Sequence, residues 1–137
     1  MTESEVMSIQ QSLDFFVEGL RKLDYNLISK IFFKDGLSCC SLKGEVNYVV
    51  RDHWKEMAEQ RIANGKNPES STASYSIKSL NIIGNAASVI IDLAFGSETE
   101  ITERYIDFYH MVKVTNKWVI VNKIFPSNIT KVEIPQR

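Results

Sequence analysis

The chain of 137 residues holds two cysteines and two histidines. Cys39 and Cys40 are adjacent, and neighbours on a strand point to opposite faces, so they are poorly placed for a mutual disulfide. A disulfide framework is excluded, which fits a reducing compartment. Histidine is confined to His53 and His110, and no Cys-x-x-Cys, His-x-x-x-His or three-histidine set occurs, so no metal site is expected. The six glycines stand singly. Without a Gly-x-Gly-x-x-Gly, a Walker loop or a Gly-x-Ser-x-Gly elbow, no cofactor is expected. No apolar run approaches the length of a bilayer-spanning helix. The start, Met1-Thr2-Glu3-Ser4-Glu5, is acidic and no signal-type apolar run follows it, so the cytoplasm is the expected compartment. Sixteen basic against seventeen acidic residues leave a net charge of −1. That excludes a large basic field for nucleic acid and a polybasic patch for membranes. Apolar residues at 44% and charged ones at 24% are the balance of an ordinary globule, and the length suits one domain spanning residues 1–137.

The first third reads as helical. Thr2-x-x-Glu5 is a capping box. Val6, Ile9, Leu13, Phe16, Val17 and Leu20 then fall on one helical face, predicting a helix to about Leu23. Asp24 is placed to cap a second, shorter helix carrying Leu27, Ile28, Ile31 and Phe32, with Lys34-Asp35-Gly36 as its glycine stop. A short strand from Leu37 to Leu42 and a turn at Lys43-Gly44 follow. A third helix, with Val50, Trp54, Met57, Ala58 and Arg61 on one side, stops near Asn64-Gly65. Gly65 to Ser71 is a polar loop.

The remainder reads as strands. Ala73, Tyr75 and Ile77 share one parity while Leu80 and Ile82 take the other, a slip that a β-bulge produces. Gly84-Asn85 turns the chain. Ala87, Val89, Ile91, Leu93 and Phe95 keep one parity without a break, and Gly96 to Glu100 turns again. A long strand from about Thr102 to Val114, a tight hairpin at Thr115-Asn116 and a strand from Lys117 to Phe125 end at Pro126. The tail carries Ile129, Val132 and Ile134 without a firm pattern. Three N-terminal helices ahead of a meander of long strands give an α+β layout. The helices cover one face of a strongly curved, mainly antiparallel sheet, and the resulting cone encloses a cavity for a small molecule.

The stretch from Tyr105 to Phe125 resembles the C-terminal hairpin of the putative lumazine-binding group, within the nuclear-transport-factor-2-like superfamily. An Asp stands before a hydrophobic strand, a two-residue turn follows, and then comes Trp-x-Ile-x-Asn-Lys-x-Phe. The order of elements is similar to that superfamily over nearly the whole chain. The resemblance implies a cone-shaped α+β barrel and a homodimer packed through the outer sheet face. It does not fix a function, since the fold hosts isomerases, dehydratases, polyketide-cyclase-like enzymes, transport factors and binding domains. Ketosteroid-isomerase-like members carry a Tyr on the first helix and an Asp after the second. Those positions fall near Phe16 and near Cys39 or Cys40, so neither the oxyanion donor nor the base of that mechanism is expected.

A two-residue loop pairs Val114 with Lys117, Lys113 with Trp118, Met111 with Ile120, Tyr109 with Asn122 and Asp107 with Ile124. Asp107, Tyr109, Met111, Trp118, Ile120, Asn122 and Ile124 then share the face expected to line the cavity. Ile106, Phe108, His110, Val112, Val119, Val121, Lys123 and Phe125 share the other, expected to be the dimer surface. Asp107 and Tyr109 are the candidate catalytic pair. With Asn122, Trp118, Trp54 and Phe16 they form the candidate ligand-binding set. Each has a plainer reading: Asp107 pairs with a cation or caps a backbone group, Tyr109 satisfies its hydroxyl on a neighbour, Asn122 bonds across the sheet, and Trp118 is core. His53 adjoins Asp52, but consecutive helix residues do not face each other, so it reads as a surface residue. Binding of a small hydrophobic or aromatic molecule without catalysis is the expected function. An isomerase-, dehydratase- or cyclase-type enzyme built on Asp107 and Tyr109, and a protein-interaction module with a filled cone, are the alternatives.

Overall fold

The structure is a computed structural model and describes residues 2–126. Helix α1 spans Glu3–Lys22 and opens with the expected capping box: the Thr2 hydroxyl accepts from the Glu5 backbone, and the Glu5 carboxylate takes the Thr2 N–H. Glu3 and Glu5 in its first turn and Arg21 and Lys22 in its last complement the helix dipole. Leu23 ends it in the left-handed region (φ 53°). Asp24 then caps α2, Tyr25–Ile31, by accepting from the Asn26 and Leu27 amides.

Here the structure departs from the sequence reading. Lys34-Asp35-Gly36 does not stop α2. The helix ends at Ile31, and Phe32–Leu42 forms one long strand, β1. Gly36 lies inside it, where a side chain would sit 2.6 Å from the Val121 carbonyl oxygen. The glycine permits close strand packing rather than helix termination. Lys43 and Gly44, both with positive φ (53° and 77°), make the tight turn into β2, Glu45–Val50. This strand has no counterpart in the sequence reading. Val50 is its last residue and precedes α3, Arg51–Ala63, instead of lying on it.

A 3₁₀ turn at Pro68–Ser70 leads to β3, Thr72–Ile83; β4, Ala86–Gly96; β5, Ile101–Val114; and β6, Lys117–Ile124. The sheet order is β2-β1-β6-β5-β4-β3, antiparallel except where β1 and β6 run parallel. The register of β3 slips between Ile77 and Ser79, so the bulge lies where the parity of its apolar residues changes. The tail residues Ile129, Val132 and Ile134 fall outside the described residues.

The inner, concave face is the core. Ile9, Leu13, Phe16 and Val17 of α1 pack on Val89, Ile91 and Leu93 of β4, Tyr109 and Met111 of β5, and Trp118 and Ile120 of β6. Each such side chain contributes about 1.5–3 kcal/mol by leaving water. The buried Ser12 hydroxyl ties α1 to the Trp118 carbonyl at 2.7 Å. Phe16 stands edge-on to Tyr109, ring centroids 5.5 Å apart, and stacks on Phe32 at 6.0 Å. The wide end of the cone stays open beneath α3. Among the described residues, no helix is long and apolar enough to cross a membrane.

Candidate functional site

On β5, Glu103, Tyr105, Asp107, Tyr109 and Met111 share a parity and face inward. Residues i and i+2 of a strand lie about 7 Å apart on one face, and a tyrosine side chain is long enough to fold back across that gap. Both tyrosines do so. The Tyr105 hydroxyl donates to Glu103 at 2.6 Å, and the Tyr109 hydroxyl donates to Asp107 Oδ2 at 2.8 Å.

The hairpin turn and the first pairs match the sequence reading: Val114 with Lys117, Lys113 with Trp118, Met111 with Ile120. Beyond them the register shifts. His110 pairs with Asn122, Tyr109 with Lys123 and Phe108 with Ile124, leaving Val121 as the extra residue of a bulge. Its consequence is an exchange of faces. Asn122 and Ile124, expected inside, lie on the outer face with their partners His110 and Phe108. Lys123 and Phe125, expected outside, turn into the cone.

The cavity they border has a volume of about 290 Å³. Leu20, Leu23, Trp54, Met57, Leu93, Phe95, Tyr105 and Phe125 supply apolar and aromatic wall, and Ser38, Arg61, Lys66, Glu103, Asp107 and Lys123 supply polar groups. A 40 Å³ hollow adjoins it and shares Leu20, Ser38, Val49, Trp54 and Lys123. Of the residues singled out from sequence, Asp107 and Trp54 border the main cavity, and Phe16 borders only the small hollow. Tyr109 and Trp118 lie beneath the wall in the core. Asn122 borders neither space. Lys123, Tyr105, Phe95 and Phe125 were not singled out as site residues. The repeated acid–x–Tyr spacing of Glu103-x-Tyr105-x-Asp107-x-Tyr109 is the sequence signal that marks Tyr105.

Asp107 is 2% exposed. A carboxylate this deep needs partners. Oδ2 receives the Tyr109 hydroxyl and lies 3.6 Å from the Lys123 ammonium, which in turn sits 5.6 Å from the Phe125 ring centroid. Oδ1 has no hydrogen bond among the described residues and is left to the cavity. Burial, then the Asp107 charge and its hydrogen bond, hold the Tyr109 hydroxyl well above its ordinary pKa. Tyr109 is therefore a fixed donor that orients Asp107. Burial followed by the Glu103 hydrogen bond pushes Tyr105 the same way. The site thus offers a ligand one carboxylate oxygen as acceptor, one ammonium as donor beside it, and aromatic walls. Among the described residues, no group of three or more His, Cys, Asp or Glu is placed to hold a metal ion.

Solved structures share this architecture. A protein of unknown function from Silicibacter pomeroyi DSS-3, described as NTF2-like, superposes with a TM-score of 0.71 at 21% identity, over 91% of this chain and 98% of its own. An NTF2-like protein of unknown function from Shewanella baltica OS155 gives 0.71 at 24% identity, over 91% and 95%. A domain of unknown function with a cystatin-like fold from Nostoc punctiforme PCC 73102 gives 0.71 at 10% identity, over 98% and 82%. At these identities the likeness establishes the fold, a nuclear-transport-factor-2-like cone. No curated protein matches the chain. The model of one protein family, described as "Putative lumazine-binding", matches residues 4–126, and the chain belongs to that family.

Proposed function

We propose that the cone is a binding site for a small, planar, largely apolar molecule, read by the Asp107–Lys123 pair at its inner wall. The observation that carries this reading is the Asp107 carboxylate. It is buried, bound on one oxygen by Tyr109 and Lys123, and open to the cavity on the other. An acceptor beside a donor suits the edge of an amide-like heterocycle, where N–H adjoins C=O. The family description names lumazine, a planar bicycle with such edges, and the cavity volume suits a mono- or bicyclic ring system. Binding alone is the function assigned, and catalysis by Asp107 is not part of it.

The test is titration with lumazine and with the neutral aromatic N-phenyl-1-naphthylamine, following the combined fluorescence of Trp54 and Trp118 in wild type and in Ser38→Phe, which fills the cavity from β1. Saturable binding of either compound that Ser38→Phe abolishes supports the reading. Absence of saturable binding, or binding that survives the substitution, overturns it.

The outer sheet face belongs to the same proposal. Phe108 and Ile124 pair across β5 and β6 and are 42% and 44% exposed, beside Ile90, Ile106 and Val112. A second copy of this chain covers that face, giving a homodimer with the two cones opening away from the seam.

A further inference from the structure

We propose that the ligand of this cavity is an anion, its charged group held at the mouth by Arg61 and Lys66. This rests on the reading that the cone binds a small molecule and adds the ligand's charge.

The cavity is bordered by four cations, Arg21, Arg61, Lys66 and Lys123, and two acids, Glu103 and Asp107, in a chain whose net charge is −1. Most of these are already engaged. Arg21 binds Glu18 at 2.5 Å and the Pro68 and Ser71 carbonyls. Glu103 holds the Tyr105 hydroxyl, and Asp107 faces Lys123. Arg61 and Lys66 are left over: among the described residues neither side chain has a hydrogen bond or ion pair.

The way α3 ends brings these two together. The Lys66 amide donates to the Arg61 carbonyl (2.9 Å) and the Gly65 amide to the Ile62 carbonyl (3.1 Å), with Gly65 at φ +94°. This is a Schellman closure, which requires the left-handed residue that glycine supplies. It folds the chain back so that the residue after the glycine returns beside the last helical turn. The returned residue is a lysine, and the turn it meets carries Arg61. The helix dipole accounts for cations at this end, but not for their position at the rim of a hollow walled by Trp54, Phe95, Tyr105 and Phe125. A planar ring between those walls, with its polar edge at Asp107, presents its far end to the two cations. A carboxylate, sulfonate or phosphate there gains both charges without displacing an existing pair.

The test compares 8-anilinonaphthalene-1-sulfonate with N-phenyl-1-naphthylamine, which share their rings and differ by the sulfonate. Their affinities are measured in wild type, in Arg61→Gln/Lys66→Gln and in Ser38→Phe, at low and high salt. The expected result is that the double variant lowers the affinity of the sulfonate relative to the neutral compound by about fivefold or more. High salt lowers it in the wild type and not in the variant, and Ser38→Phe abolishes both. An affinity ratio unchanged by the double variant overturns this inference, and if the neutral compound still binds and is still blocked by Ser38→Phe, the binding function stands. Failure of both compounds to bind overturns the two together.

Discussion

The Tyr109 hydroxyl donates to Asp107 Oδ2 at 2.8 Å from two positions further along the same strand. An intrastrand clasp of this kind costs no loop closure, because the strand already fixes both Cα positions. It also explains how a carboxylate 2% exposed is held facing the cavity. The alternative partner, Lys123, approaches the same oxygen from the neighbouring strand at 3.6 Å. Tyr109 therefore sets the orientation of the carboxylate, and Lys123 balances its charge.

Tyr109→Phe should destabilise the protein by about 1.5–3 kcal/mol, the range for a buried hydrogen bond to a charged group. Phenylalanine keeps the ring that packs against Phe16, so the loss isolates the hydroxyl. Urea denaturation measures it through the transition midpoint at unchanged slope. A change below about 0.5 kcal/mol would mean that Lys123 alone holds Asp107.

The same tyrosine makes stability fall in alkali. In the folded chain its proton is retained well above the ordinary value of 10.0. From about pH 10 upward the folded state binds a proton that the unfolded state has released. The stabilisation is whole below that pH and is lost above it, at about 1.4 kcal/mol per pH unit. Burial, and then the hydrogen bonds to Asp14 and Glu103, raise Tyr75 and Tyr105 too and steepen the decline. Tyr109→Phe should remove one proton's worth of slope. Denaturation midpoints from about pH 9 to pH 11 test this, and parallel slopes for variant and wild type would refute it.

Much of the fold was legible because the local signals agreed with the tertiary structure. Thr2 and Glu5, Asp24, the parity slip after Ile77 and the Thr115-Asn116 hairpin each have a short-range cause, and each formed as read. Strand β2 was not legible. Its six residues border a helix of weak amphipathicity, and Val50 fits that helix's apolar side as well as it ends a strand. The site was legible on β5 and illegible on β6 for one reason. Along β5 the pairing with β4 runs unbroken from Glu103 to Val112, so parity declares the face. Along β6, Val119, Ile120 and Val121 are all apolar, and a one-residue bulge within such a run leaves no trace in the pattern. That bulge exchanged Asn122 for Lys123 in the cavity.

Phe108→Glu should convert a dimer into a monomer while leaving the circular dichroism spectrum unchanged, because residue 108 projects away from the core. Two glutamates facing each other across a two-fold seam add repulsion to the lost apolar contact. Sedimentation of the wild type and the variant at micromolar concentration decides the matter. A wild type that sediments as a monomer would remove the outer face as an interface between copies.

Gly36→Ala should destabilise the protein and disturb the cavity together. The β1 register breaks between Phe32 and Leu37, and the β6 register breaks at Val121. The two irregularities meet at Gly36. An added methyl would stand 2.6 Å from the Val121 carbonyl oxygen and 2.9 Å from the Phe32 ring, closer than either can yield without moving its strand. Overpacking of this kind costs about 1–3 kcal/mol. The strain falls on the bulge that turns Lys123 inward, so probe affinity should drop further than in Thr115→Gly, a substitution at the far turn of the same hairpin. If Gly36→Ala loses stability but keeps full affinity, the bulge is held by the core around Ile120 rather than by the glycine.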